Sequence, residues 1–362
     1  MINRIPWWRT TFGEEEIEHV AASMRRECVS QGPITVEFEN QLGRALEVKH
    51  VIATSSGSAA LLMALMGLGI TVGDEVILPN RTWIATAHAV HLLGAKVVLV
   101  DVEPHRPIMD TSLIENAITS RTKAIIPVHM NGRSADMQHI QTIARKHQLH
   151  VVEDAAQAFG SRNGDGYLGT QSDIGCFSLS VAKTIATGQG GFCVTQNPDI
   201  AQRLRAIRTH GVENVTAPNQ WTMPGFNFRF TDVLASIGIE QLKRLPEKIE
   251  RLLTIYAMYE EGLKRSCFQI IPVNIDAGEI PVYNEFLVND RQFWIKKLDK
   301  QGIETRPFYP DINTAHYFNT SHSKFKNSKN FSNNGIYLPS GPSQQDDNIE
   351  MVLKCIKTTS SQ

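Results

Sequence analysis

The stretch Phe177-Ser178-Leu179-Ser180-Val181-Ala182-Lys183-Thr184, followed by Thr187-Gly188-Gln189-Gly190-Gly191, decides how this chain folds. An apolar segment runs into a short loop that carries one lysine, and glycines follow at once. A lysine held in such a confined pocket loses hydration of its charged form, so its amine keeps a lone pair for a carbonyl. Upstream, the apolar run Leu149-His150-Val151-Val152 leads into Glu153-Asp154 and reads as a buried strand. An acidic side chain at the C-terminal edge of such a strand faces the crevice where open α/β sheets bind their ligands. There it pairs with a protonated ring nitrogen, favouring that form by roughly 1 to 3 pKa units.

Lys183 therefore reads as a Schiff-base lysine and Asp154 as the partner of a pyridinium nitrogen, the two groups that pyridoxal phosphate needs. Gly57 and Ser58 lie between the apolar segment Val51-Ile52-Ala53 and a helix opening at Ala59-Ala60-Leu61. Their backbone N–H groups would point at an anion on a helix N-terminus. Taken singly, Trp83 is an ordinary core aromatic, Ser56-Gly57-Ser58 an ordinary helix cap, and Gly188-Gln189-Gly190-Gly191 a flexible loop. Their joint order carries the reading.

That order resembles the DegT/DnrJ/EryC1/StrS family of sugar aminotransferases, members of the aspartate aminotransferase superfamily. The resemblance rests on Val152 to Gly160, Gly175-Cys176-Phe177-Ser178, Lys183 and Gly188-Gln189-Gly190-Gly191, joined by Gly32-Pro33, Ser55 to Leu61, Gly73 to Ile77, Thr82 to Ala87, Val128-His129 and Gly225 to Arg229. It covers roughly residues 5 to 245 closely and the remainder loosely. It implies fold type I of the pyridoxal-phosphate enzymes: an α/β architecture with a mixed, mostly parallel central sheet flanked by helices, and a smaller C-terminal α+β domain. It further implies that Gln157 hydrogen-bonds the ring hydroxyl, Trp83 lies against the ring face and Ser178 adds a hydroxyl to the phosphate site. Asn227 is implied to reach the phosphate of a neighbouring subunit, so that a homodimer shares its active sites.

The implied reaction moves an amino group from L-glutamate to a keto sugar nucleotide for surface polysaccharide or amino-sugar biosynthesis, with pyridoxamine 5'-phosphate as the intermediate cofactor form. Gly302 to Pro310 and Tyr337-Leu338-Pro339-Ser340 are similar to members that aminate the 4-keto carbon of a GDP-linked 6-deoxy sugar. Arg229, Arg306 and Tyr309 are the candidate substrate contacts; Arg306 binds sugar hydroxyls or diphosphate, or else forms a structural ion pair. The chain departs from the family pattern in four places, one of them the short and poorly matched stretch from Ile270 to Phe286. The segment Arg306 to Pro310 is one residue shorter, Asp311-Ile312-Asn313 stands where a histidine is usual, and Gln189 replaces a glutamate. dTDP- or UDP-linked keto sugars, cyclitols and other small carbonyl compounds remain alternatives, as do a sugar dehydratase and a cofactor-binding regulator.

Around these motifs, helical and strand patterns alternate. Glu14 to Arg26, Ala59 to Leu68, Thr86 to Leu93, a stretch through Ile114, Asp232 to Leu245 and Arg251 to Leu263 read as helices. Glu75 to Leu78, Lys96 to Val100 and Lys123 to Val128 read as short buried strands. Residues 1–245 are expected to form the large cofactor-binding domain with an N-terminal arm, and 246–362 the small domain. Asn319 to Asn334, rich in Ser, Asn and Lys, reads as an exposed loop. His129 is assigned to local hydrogen bonding, and Asn163-Gly164-Asp165-Gly166 to a hairpin turn, because it lacks the further carboxylates of a calcium loop.

Composition excludes several other classes. With 362 residues, 42% of them hydrophobic, there is ample chain for a large core and a second smaller domain. A net charge of -1 supplies no basic field for nucleic acid, and no apolar run approaches a bilayer span, so the expected place is the cytoplasm. Five scattered cysteines offer no metal-ligand spacing; no metal is expected, and they read as buried apolar side chains.

Overall fold

Short strands that are apolar on both faces need cover on both faces, and the helices between them supply it. The computed structural model describes residues 4–212, 214, 216–217, 220–318 and 325–360. The strands of its first part are β1 (His50–Thr54), β2 (Glu75–Pro79), β3 (Lys96–Val100), β4 (Thr122–Ile125), β5 (His150–Asp154), the hairpin pair β6 (Arg162–Asn163) and β7 (Gly166–Tyr167), β8 (Ile174–Ser178) and β9 (Gly191–Thr195). Its helices are α1 (Glu14–Arg25), α2 (Pro33–Leu46), α3 (Gly57–Gly67), α4 (Ala85–His91), α5 (Ile114–Ala117), α6 (Met137–His147), α7 (Pro198–Arg208) and α8 (Asp232–Lys243). The second part holds α9 (Leu245–Leu263), β10 (Gln269–Ile270), β11 (Asn284–Leu287), α10 (Arg291–Asp299), β12 (Arg306–Pro307), α11 (Lys326–Asn334), β13 (Gly335–Leu338) and α12 (Asp346–Ser360).

Seven strands form the main sheet in the order β1-β9-β8-β5-β4-β2-β3. β3, β2, β4, β5 and β8 run parallel, whereas β9 is antiparallel to both β8 and β1. The fold is therefore the α/β class with a mostly parallel mixed sheet. Because β1, β2, β5 and β8 point the same way, their C-terminal ends meet along one edge, and β9 begins at that edge. Thr54, Pro79, Asp154, Ser178 and Gly191 are thereby gathered from five separate segments.

α3 lies against one face of the sheet, its Ala60, Met63, Ala64 and Leu65 buried with Ile52, Val76, Leu78 and Val152. α2 and α8 cover the other face near β1 through Phe38, Leu42, Leu46, Ala235 and Ile239. Gly238 lets these two helices approach, since a Cβ there would lie 2.5 Å from the Phe38 ring. In the second part, β10-β11-β13-β12 form a four-stranded antiparallel sheet packed on α9, α10 and α12 through Phe286, Tyr259, Leu298 and Val352.

The segment from Arg4 to Arg9 packs on this second sheet and not on the first. Ile5 N–H donates to Gly302 O at 2.8 Å, Glu304 N–H to Ile5 O at 2.9 Å, and Ser340 N–H to Trp7 O at 2.8 Å. A second junction is made by Arg133, whose side chain is fully buried. It donates to Pro272 O at 2.8 Å, Ile271 O at 2.9 Å and the Glu285 carboxylate at 2.5 Å, so every face of the guanidinium is used.

The expected helices and strands are present near their expected limits, except that α9 begins at Leu245 and not at the expected Arg251. One segment differs: residues 326–334 are the helix α11, with Ser328 and Phe331 buried, not an exposed loop; 319–324 lie outside the described residues. The cysteine reading needs correcting too, because only Cys176 and Cys193 are buried and Cys267 is exposed. The β6–β7 hairpin stands where the Asn163 to Gly166 turn was expected.

Candidate active site

A cavity of about 340 Å³ opens at the sheet edge where the strand ends converge. Gly57, Ser58, Trp83, Asp154, Gln157, Ser178, Lys183 and Tyr309 all line it, although their positions span some 250 residues of sequence. Each arrives by a local rule. Asp154 ends β5, and strand alternation turns its neighbour Glu153 the opposite way, where Gly169 N, Gln171 N and Ser172 Oγ saturate that carboxylate.

Asp154 accepts from Thr86 Oγ1 at 2.7 Å and from Ala156 N at 3.1 Å. Burial nevertheless pushes its carboxyl above the usual range, against the pull of those bonds and of Lys183 and His129. A buried carboxylate in that condition gains from a cation placed against it. His129 keeps to local hydrogen bonding: Ala135 N–H donates to its Nδ1 at 3.2 Å, which leaves Nε2–H to donate to Glu153 at 2.8 Å.

Lys183 follows β8 in a loop that Gly188 and Gly190 close with left-handed backbone, φ +84° and +142°. Among the described residues its Nζ meets no carboxylate in a hydrogen bond and bonds the Tyr283 hydroxyl, at 3.4 Å. Burial brings its pKa down to about 8, opposed by the charge of Asp154. Lys248 on α9 is likewise brought down to about 8 by burial, with the Arg244 charge adding to the effect. In the cofactor-free protein, both lysines bind fewer protons folded than unfolded between pH 8 and their ordinary value of 10.5. The unfolded state then holds the extra protons, so stability should rise as pH climbs through that window. Denaturant unfolding at pH 8 and pH 10 measures the rise, and Lys183→Met should flatten part of it; a native protein with no rise would refute the assignment.

The third corner is an anion cradle. Ser56 caps α3 by accepting from Ala59 N at 3.0 Å, and among the described residues no protein acceptor meets the N–H of Gly57 or Ser58. These donors sit at the positive end of an eleven-residue helix beside the Ser178 hydroxyl. The approach is close: a Cβ on Gly57 would stand 2.9 Å from Ser178 Cβ, and one on Gly191 only 2.5 Å from Gly57 N. Gln157 Oε1 accepts from Asn131 N at 3.0 Å, which fixes the amide orientation and leaves its NH2 as a donor toward the cavity. A buried carboxylate, a free amine, an amide donor and an anion cradle around one slot match the ring nitrogen, aldehyde, hydroxyl and phosphate of pyridoxal phosphate.

Trp83 stands 56% exposed at the rim, its ring edge-on to Tyr309 at 5.5 Å. Three expected residues stay outside the cavity. Asn227 Oδ1 accepts from Arg229 Nε at 2.9 Å, and both lie on a segment beside the end of β1. Arg306 pairs with Glu304 at 2.7 Å and lies 5.3 Å over the Trp7 ring, so it supports the cavity wall from behind.

No role was read from the sequence for Trp7, Thr86, Tyr283 or Tyr337, all of which line the cavity, nor for Asn131 behind Gln157, although Thr86 and Tyr337 stand in stretches that carry the resemblance. For Trp7 the local signal was the adjacent pair Trp7-Trp8, two large aromatics in one short segment. Arg81 was also passed over. It is fully buried, stacked between the rings of Phe308 and Tyr309 at 4.7 and 4.3 Å, and paired with Asp311 at 3.2 Å, so it fixes the wall that carries Tyr309.

Fold and site together define a pyridoxal-phosphate-dependent enzyme of the aminotransferase type. The chain belongs to the DegT/DnrJ/EryC1/StrS aminotransferase family, whose sequence pattern matches residues 10–357. It is 35% identical over 338 residues to the GDP-perosamine synthase of Caulobacter vibrioides, covering 90% of each chain. It is 31% identical to the GDP-perosamine synthase of Escherichia coli O157:H7, covering 97% of each chain. Among solved structures, S. venezuelae DesV in complex with a ketimine intermediate superimposes with a TM-score of 0.94 at 29% identity, over 99% of both chains.

Proposed function

We propose that the protein uses pyridoxal 5'-phosphate to transfer the amino group of L-glutamate to the keto carbon of a sugar nucleotide. The substrate we assign is a GDP-linked 4-keto-6-deoxy hexose, and the setting surface polysaccharide or amino-sugar biosynthesis. The observation that carries the reading is the free Lys183 amine facing the same 340 Å³ cavity as Asp154. The two GDP-perosamine synthases among its relatives favour the GDP-linked sugar.

When bound, the cofactor supplies a conjugated ring that takes up the electron pair released at the amino acid's α carbon. The side chains do the rest. Asp154 would hold the proton on the ring nitrogen. Gln157 would donate to the ring hydroxyl, and the N–H groups of Gly57 and Ser58 with the Ser178 hydroxyl would hold the phosphate. Trp83 would orient the ring, since a flat aromatic does so at little entropic cost. Lys183, its pKa lowered toward neutrality, takes the proton from the α carbon and returns it on the opposite leg of the reaction. Tyr283, Tyr309 and Tyr337 keep water from the lysine.

Two copies of the chain would complete each site. Asn227 and Arg229 lie outside their own cavity, and Trp221 and Phe226 on the same segment are 74% and 56% exposed, as a surface covered by a second subunit would be.

The test is spectroscopic. L-glutamate should abolish the absorbance of the resting cofactor, and a GDP-linked 4-keto-6-deoxy sugar should restore it where a dTDP-linked one does not. Recovery with the dTDP sugar alone would overturn the nucleotide assignment; no response to L-glutamate would overturn the donor.

A further inference from the structure

Two consecutive carbonyls just before Lys183 are tied down by aromatic side chains from elsewhere in the chain. Trp8 Nε1–H donates to Val181 O at 2.9 Å, and the Tyr283 hydroxyl donates to Ala182 O at 2.8 Å. The carbonyl of Ala182 belongs to the peptide unit whose other end is the Lys183 N–H, and that N–H donates to Ser180 O at 3.1 Å. The plane that aims the lysine side chain is thus held on both sides.

With its O–H directed at Ala182 O, the Tyr283 oxygen turns lone pairs to the cavity, and Lys183 Nζ lies 3.4 Å away. Burial raises the phenol well above its ordinary pKa, so it stays neutral and accepts. Tyr283 is itself fixed. Its N–H donates to Asn131 Oδ1 at 2.6 Å, its carbonyl accepts from Asn131 Nδ2 at 2.8 Å, and its ring stacks on Trp7 at 5.7 Å. Asn131 holds left-handed backbone, φ +54°, and its own N–H orients Gln157. One residue thereby sets both the cofactor's amide partner and the tyrosine over the lysine.

We propose that Tyr283 is a positioning residue for the reaction: its hydroxyl aims the Lys183 peptide and receives the Lys183 amine whenever that amine is free to carry a proton. The inference rests on the aminotransferase reading, and Trp8 acts on the same loop from its other side. The ionisable groups sharing the cavity with Lys183 are Asp154, Tyr283, Tyr309 and Tyr337.

Tyr283→Phe keeps the ring on Trp7 and removes both hydrogen bonds. In the cofactor-loaded enzyme, kcat should fall about 10- to 100-fold with little change in KM for L-glutamate, because a small misplacement of a reacting group is that costly. Trp8→Phe should lower kcat less. A second readout uses the cofactor-free protein: the pH dependence of Lys183 acetylation by acetic anhydride, followed by mass spectrometry of its peptide. In Tyr283→Phe the midpoint should move to lower pH, since the ammonium form loses an acceptor. A native melting temperature would exclude misfolding as the cause. Unchanged kcat and midpoint would overturn the proposal, and so would a fall in kcat with an unmoved midpoint, which would reduce Tyr283 to packing. Failure of the underlying reading is separable: the native protein would then neither take up cofactor nor consume L-glutamate.

Discussion

Lys183→Met should leave the protein folded and nearly inactive, with kcat lowered roughly 10⁴-fold or more. A positioned general acid or base alone contributes about 10²- to 10⁴-fold, and in the proposed reaction this lysine would also supply the covalent tether. Methionine fills a similar volume without an ammonium, and among the described residues no ion pair is broken, because Lys183 Nζ bonds the Tyr283 hydroxyl. Borohydride reduction of the native protein should add the cofactor's mass to the peptide containing Lys183; the variant should gain nothing. Retained turnover in Lys183→Met would remove this lysine from the reaction and take the proposed chemistry with it.

Asp154→Asn should cost about 10- to 10³-fold in kcat. An opposite charge beside a ring nitrogen is worth roughly 1 to 3 pKa units, each about 1.4 kcal/mol, and the amide offers no charge. The substitution is mild in shape: Ala156 N–H keeps its acceptor, and the Thr86 hydroxyl, which now donates at 2.7 Å, can turn to accept from the amide. Stability should hold or rise, because burial already disfavours this carboxylate in the cofactor-free protein. Steady-state kinetics with L-glutamate, set beside thermal melting of the cofactor-free form, separates the two effects. Near-native kcat would show that the ring nitrogen needs no anion here.

The parts of the site that could be read from the sequence sit at the ends of strands. Asp154 closes an apolar run, Ser178 closes another, and Gly57-Ser58 opens a helix, so local pattern and fold agree at those points. What could not be read comes from long range. The helix α11 lacks a local cap; Asp101, 226 residues upstream, accepts from Asn327 N and Ser328 N at 2.9 Å each. A polar stretch without a cap reads as loop until that remote carboxylate is supplied. The N-terminus of α2 is held in the same way by Asp232, which accepts from Gly32 N at 2.8 Å and Thr35 N at 2.9 Å. Tyr283 and Tyr337 escaped for a related reason: Tyr283 precedes a short strand of the second sheet that carries no motif, Tyr337 stands in a family-like stretch that gives it no role, and only the docking of that sheet on the first turns both toward the lysine. Arg306 shows the converse, a charge flagged by its motif whose nearest partner proves to be Glu304.

The N-terminal arm has a consequence for the order of assembly. Trp7 N–H donates to Glu304 across 297 residues of sequence, and Trp8, seated beside Ser340, reaches the loop of Lys183. Neither seat exists until that late part of the chain has been synthesised, so a nascent chain with its first sheet already folded still lacks the Trp8 and Tyr283 bonds that hold the lysine loop from outside. Closing so long a loop carries an entropic cost that only the finished second sheet can offset. Assembly of the active site therefore waits on residues as late as Ser340.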